Sequence, residues 1–281
     1  MLIDGQRILD YIIKALILVS AGLALLPIVH LVGEAIVRGG SVILGAGFKF
    51  FTETPPPPGD RVYGILTSLV GTLELAAISA AVGIPVAFMA ALLSVEFPAS
   101  LPGRLVKTLS RTLLEVPTIL VGMFVFVVLV EPMGTPSVLA GAVALSLVML
   151  PYVVTYTESA LRSVPYTYRE AGYSMGMTRA QVAFKVVAPI AGRGVATGFL
   201  LGLAKALGET APLLFTLGRA RNMLNINPLG PGDAIPLLIY DYAMAPYENM
   251  REVAWGAAFV LIAVLLALHI IVRLVVRGVR I

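Results

Sequence analysis

The sequence predicts an all-α integral membrane protein: six transmembrane helices and a helix–turn–helix on the cytoplasmic side. Composition is the first reason. Of 281 residues, 58% are hydrophobic and 13% charged, against roughly 25% charged in a soluble domain. Mean hydropathy is +0.94. A soluble fold has no interior large enough for so much apolar surface, whereas bilayer hydrocarbon dissolves it. The second reason is the pattern of long apolar runs between short polar connections. The third is the placement of lysine and arginine, which alternates in density from one connection to the next.

The first apolar run spans about Ala15 to Gly33. It exceeds the roughly 7–15 residues of a signal-peptide core, so it reads as a spanning helix. The second runs from about Ile65 to Val95, with Glu74 and Pro85 inside, and the third from about Thr112 to Val130. The fourth runs from Pro136 to about Thr157, so residues 131–135 alone join it to the third. The fifth, about Gly194 to Leu217, contains Lys205 and Glu209, and the sixth covers Val253 to about Val276. With the N-terminus in the cytoplasm, thirteen of the 20 basic residues fall inside and six outside, leaving Lys205 within the membrane. That bias places both termini in the cytoplasm of a multi-pass cell-membrane protein.

Two outer loops follow. Residues 39–60 carry Pro55-Pro56-Pro57-Pro58, a stiff extended stretch that fits a spacer or a surface for an external partner. Residues 219–252 are turn-rich, with a short helix expected near Ala234 to Tyr242. No repeat on a 20–50 residue period stands out, and the halves are not evident inverted repeats. The chain therefore divides into residues 1–62, a first helix with its Pro-rich outer loop, and residues 63–281, with the other five helices.

Several functions are excluded. Without cysteine there is no thiol catalysis, disulfide or Cys-ligated metal. His30 and His269 lie in distant apolar runs and read as ordinary helix residues rather than metal ligands. No Gly-x-x-x-x-Gly-Lys-Ser/Thr run exists, so the chain is not itself an ATPase, and no His-Glu-x-x-His or paired carboxylates suggest a membrane enzyme. The net charge of +4 is a topology signal and not a nucleic-acid face.

The connection between the fourth and fifth runs, about residues 158–193, is the most informative. Pro165 suits a helix start, and Tyr166 to Met175 reads as a short helix that Gly176 ends. Thr178 followed by Gln181 is a capping box opening a second helix, with Pro189 at its end or at a kink. An ordered hairpin here fits either a docking element for another protein or a re-entry that positions span five. The run Glu170-Ala171-Gly172, three residues, Gly176, nine residues, Val186-Val187-Ala188-Pro189 resembles the EAA loop of ABC-importer permeases in every spacing. Gly172, Val186 and Ala188 stand where that family has Ala, Ile and Leu. The resemblance implies that Glu170, Ala171, Gly172 and Gly176 couple the spans to an ATPase subunit.

In the fifth run, Lys205 and Glu209 share a helix face. A charge at mid-membrane costs at least ~2.5–3.5 kcal/mol, so the two should pair and face an interior or a wet cavity. They fit a structural ion pair, or an anion path in which Lys205 supplies charge, Glu209 holds it and Thr210 adds a donor. Pro212 breaks the helix beside them. The run Lys205 to Leu214, with Gly71-Thr72-Leu73, Val116-Pro117-Thr118-Ile119 and Leu161-Arg162-Ser163-Val164-Pro165, resembles phosphate ABC-importer permeases of the PstA type over about residues 63–276. Those usually have arginine at the position of Lys205, which keeps the charge without the planar fork.

The resemblance implies a type I importer permease conducting inorganic phosphate, with residues 63–281 as its transmembrane domain. Its expected partners are a second permease subunit, an ATPase dimer holding ATP and Mg, an external phosphate-binding protein and membrane lipid. Other oxyanions such as molybdate or sulfate are the alternative substrates. A secondary transporter is the alternative class.

Overall fold

The computed structural model describes residues 2–60 and 63–277. In chain order its helices are α1 (Leu2–Glu34), α2 (Gly40–Ala46), α3 (Lys49–Thr52), α4 (Leu66–Glu96) and α5 (Leu101–Glu115). Next come α6 (Thr118–Val125), α7 (Glu131–Met133), α8 (Val138–Arg162), α9 (Tyr166–Ser174), α10 (Arg179–Val182) and α11 (Ala188–Ile190). The last are α12 (Gly192–Leu207), α13 (Leu213–Thr216), α14 (Ile235–Ala243) and α15 (Glu248–Arg277). Wide π-type turns at Ala35–Gly39, Phe126–Val130 and Ala183–Val187 join α1 to α2, α6 to α7 and α10 to α11.

Four stretches are long and apolar enough to cross a bilayer: Leu9–Ala46, Leu66–Glu96, Val138–Arg162 and Glu248–Leu274. Two bent pairs bring the number to six. Helix α8 is the axis of the bundle, with two thirds of its apolar window buried against one third in α4. Its Leu145, Met149, Val153 and Leu161 pack with Leu75 and Leu92 of α4 and Val195 of α12. Ser137 caps α8, its hydroxyl accepting the Ala140 N–H at 3.1 Å. The first span has none of its apolar window buried, and its C-terminal end, residues 35–46, is the part that packs on α15.

Three boundaries depart from the expectation. The third span begins at Thr118, not near Thr112. Residues 101–115 form a separate helix that turns by 108° into it. Pro117 forces Val116 into an extended conformation (ψ 125°) and offers no N–H, so the helix cannot run through. The first helix continues to Ala46, well into the expected outer loop, because contacts with α15 hold the glycine-containing segment helical. The fifth span stops at Leu207 and resumes for one turn at Leu213.

The end of the bundle away from the α9–α10 hairpin is tightly built. Helix α14 matches the expected short helix. Pro55 and Pro56 are buried, and the Pro56 carbonyl accepts the Tyr242 hydroxyl at 2.8 Å, so the proline stretch is a strap across this face, not a free spacer. Arg221 joins Asp233 (3.4 Å) to Asp241 (2.6 Å), and Arg219 also holds Asp241. Burial pushes the Asp233 carboxyl above the usual carboxylate range against the pull of Arg221. Burial also pushes Asp241 up, but its two arginines hold it below that range. Ser68 donates to Asp233, and Thr72 accepts the Ile235 N–H at 2.9 Å, which fastens this cap to α4.

Candidate translocation and coupling sites

Helix α12 approaches α8 along a stripe of glycines four residues apart: Gly194, Gly198 and Gly202. A Cβ on Gly194 would lie 2.7 Å from the Ala160 Cβ, and one on Gly198 would lie 3.1 Å from the Tyr156 Cβ. Gly202 is closed off in the same way by Val153. This is the small-residue contact that lets membrane helices meet without a hydrophobic driving force. It sets where the end of α12 stands. Gly198→Leu is expected to separate the two helices and lower stability by about 1–3 kcal/mol or more, read as a fall in the melting temperature of the purified complex. An unchanged melting temperature would refute this role for the stripe.

Lys205 sits in the last turn of α12, and its ammonium forms an ion pair with the Glu209 carboxylate. The helix has already broken between them: α12 ends at Leu207 and α13 starts at Leu213. Within the break the Glu209 N–H reaches the Ala206 carbonyl at 3.1 Å, and the Thr210 carbonyl accepts the Leu213 N–H at 3.1 Å. Pro212, which lacks an N–H, opens α13. The α6 backbone closes on this point, since a Cβ on Gly122 would lie 2.6 Å from the Pro212 Cα. The Lys205 ammonium also stands 5.9 Å from the ring centre of Tyr152 on α8. Glu209 is 10% exposed, whereas the Lys205 side chain is 40% exposed on the outside of the chain. Thus Lys205, Glu209, Thr210 and Pro212 meet at one break. Glu74 lies apart on α4, one carboxylate oxygen buried without a hydrogen-bond partner among the described residues.

The hairpin of α9 and α10 forms where its caps require. At the end of α9 the Gly176 N–H bonds the Tyr173 carbonyl (2.9 Å) and the Met177 N–H bonds the Gly172 carbonyl (3.2 Å). This Schellman closure needs a left-handed residue, and Gly176 supplies it at φ +78°. Both halves of the Thr178–Gln181 capping box are present, at 2.9 and 3.3 Å. Gly172 lets the two helices cross: a Cβ there would come within 2.8 Å of a Val182 methyl. Close packing offsets the roughly 1 kcal/mol that glycine costs a helix relative to alanine. The second helix absorbs Pro189 after the wide turn at Ala183–Val187 and bends by 77° into α12. Glu170 and Ala171 are exposed on α9, facing away from the bundle.

One buried contact escaped sequence reasoning. Arg169 is 8% exposed and Glu96, the last residue of α4, is 3% exposed. Arg169 donates to the Glu96 carboxylate at 2.8 and 3.2 Å and to the carbonyls of Leu161 (3.1 Å) and Val164 (2.9 Å) at the end of α8. One side chain therefore ties the hairpin to two spans. Arg179 adds a contact from the second helix, its guanidinium 4.9 Å from the ring centre of Phe97. The Glu96–Arg169 pair is 73 residues apart and has no local signature. The glycine stripe was also missed, although its small-x-x-x-small spacing is a local signal that could have found it.

The architecture is that of a transporter membrane component. The inward-facing MetNI methionine ABC transporter, in its CY5 native crystal form, has a chain that aligns at a TM-score of 0.57. The match covers 74% of this chain and 96% of that one; at 22% identity this is a likeness of fold. The chain belongs to the binding-protein-dependent transport system inner membrane component family, whose model matches residues 83–281. It is 45% identical over 268 residues to the probable phosphate transport system permease protein PstA of Methanocaldococcus jannaschii, covering 95% of this chain and 92% of that protein. It is 33% identical to the phosphate transport system permease protein PstA 1 of Mycobacterium tuberculosis, covering 94% and 88%. The corresponding protein of Pasteurella multocida is 32% identical, covering 80% of each.

Proposed function

We propose that this chain is the membrane permease subunit of an ATP-driven phosphate importer. In this reading it lies in the cell membrane with both termini in the cytoplasm. It pairs with a related permease chain, an ATPase dimer that holds ATP and Mg, and an external phosphate-binding protein. Residues 63–281 form the transport unit, and residues 1–62 add a first span and an outer strap. The permeases it resembles are named for phosphate transport over nearly the whole chain.

The observation that carries the path is the outward aim of Lys205. A partly exposed ammonium at the break of a spanning helix is not stable against lipid. It implies that this face is covered by a second permease and that the covered space is wet. There Lys205 offers a fixed positive charge to a passing anion, with Glu209 as its resting partner and Thr210 as a further donor. At the cytoplasmic face, ATPase closure pulls on Glu170, Ala171, Gly172 and Gly176, and the buried Arg169 passes the pull to α4 and α8.

The test is ATP-dependent uptake of labelled phosphate, sulfate and molybdate into liposomes holding this chain and its co-purifying subunits. Uptake of phosphate alone supports the assignment, and uptake of another oxyanion replaces the substrate. No ATP-dependent uptake of any anion with all partners present refutes the importer. Reversing the exposed charge with Glu170→Lys is expected to cut ATP-driven uptake at least tenfold without altering the melting temperature, since the side chain contributes nothing to the core.

A further inference from the structure

We propose that α5 is a binding site for anionic lipid at the cytoplasmic leaflet, with Arg104, Lys107 and Arg111 holding the headgroup phosphate. Sidedness is the only part taken from the permease reading. Helix α5 follows the end of α4 that Arg169 and Arg179 tie to the coupling hairpin, so it lies at the hairpin's end of the bundle.

At about 100° per residue, α5 has three separate faces. Gly103, Val106 and Ser110 make one, which is turned to the bundle. On one flank Leu101, Leu105 and Leu109 are 65%, 50% and 57% exposed. On the opposite flank Arg104, Lys107 and Arg111 are exposed, and among the described residues none is ion-paired. Glu115, also exposed, follows one turn later at the helix end. An apolar flank and a basic flank on either side of a protein-facing stripe is what a helix needs to lie in the plane of the bilayer surface.

The neighbouring span places it at that depth. Helix α5 turns by 108° into Thr118–Met133, close to a right angle, so it runs along the membrane plane when that span is upright. The span is made of segments of 8, 5 and 3 residues. At 1.5 Å per residue it is about 24 Å long, short of the ~30 Å hydrocarbon thickness. The shortfall draws α5 into the boundary between acyl chains and headgroups. There the leucines meet hydrocarbon and the three cations meet phosphate. The cytoplasmic leaflet is where basic segments find anionic lipid.

The test uses the assembled importer in phosphatidylcholine vesicles that carry acyl-brominated lipid, either phosphatidylcholine or phosphatidylglycerol. Leu109→Trp places a fluorescent reporter on the apolar flank, and the signal of native Trp255 is subtracted with the unsubstituted chain. Brominated phosphatidylglycerol is expected to quench the new indole preferentially, with about fivefold enrichment for each basic residue engaged. Arg104→Gln/Lys107→Gln/Arg111→Gln is expected to abolish the preference while leaving quenching by both lipids. Equal quenching by the two lipids in the unsubstituted basic background overturns the proposal. So does an absence of quenching that is relieved by removing the ATPase, or loss of the co-purifying ATPase from the triple variant, because either shows a protein on this face. Phosphate uptake measured in the same vesicles reports separately on the permease reading.

Discussion

Arg169→Leu is expected to cost about 3–5 kcal/mol of stability and to abolish ATP-driven uptake. The substitution leaves the Glu96 carboxylate, 3% exposed, without its cation, and it strands the Leu161 and Val164 carbonyls. An unpaired buried charge has that magnitude of penalty, whereas the intact pair contributes little net stability over an apolar replacement. The asymmetry gives the test its form. Glu96→Leu/Arg169→Leu removes both charges and should regain part of the lost melting temperature. Glu96→Gln removes the counter-charge of buried Arg169 but keeps an acceptor beside the Leu161 and Val164 carbonyls, so it should fold with a smaller loss than Arg169→Leu. If the pair only stabilises the fold, this variant transports normally. If it carries force from α9 to α4, the variant hydrolyses ATP without uptake. Normal stability of Arg169→Leu, or normal uptake by every folded variant of the pair, would sink the argument.

The α9–α10 hairpin was legible because its determinants are local. Thr178 and Gln181 are three residues apart, and the Gly176 closure involves only residues 172–177. The Lys205–Glu209 pair was legible for the same reason, at four residues. Only the last turn of α5, residues 112–115, was absorbed into span three, because average hydropathy outweighed Glu115 and Pro117; the basic residues before it, spaced every three or four positions, were read as part of a connection. Those residues do mark a boundary, but only through periodicity. The extension of the first helix to Ala46 had no local signal. Gly39, Gly40, Gly45 and Gly47 read as a loop, and contact with α15 decides the matter. Arg169 and Glu96 are far apart in the chain, and nothing in either neighbourhood calls for the other. The sequence shows charges that pair along one helix, but partners on different helices appear only after packing.

The same logic separates the two roles open to Lys205. Lys205→Ala leaves Glu209, 10% exposed, without its partner. The expected loss is about 2–3 kcal/mol of stability, read as a fall in melting temperature, together with a loss of uptake. That result alone does not distinguish a strut from an anion path, because both roles fail together. Lys205→Met/Glu209→Met does distinguish them. Replacing both charges by apolar side chains of similar length removes the unpaired carboxylate and should restore the melting temperature. A strut would then work again, and uptake would recover with it. An anion path would stay closed, because the restored fold has no positive charge at the break to offset the phosphate's own desolvation. Lys205→Arg keeps the charge and adds a planar pair of donors suited to phosphate. It is expected to transport at least as well as the parent. Recovery of uptake in the double methionine variant would assign the pair to structure and move the search for the anion's contacts to Glu74 and the face of α4 that carries it.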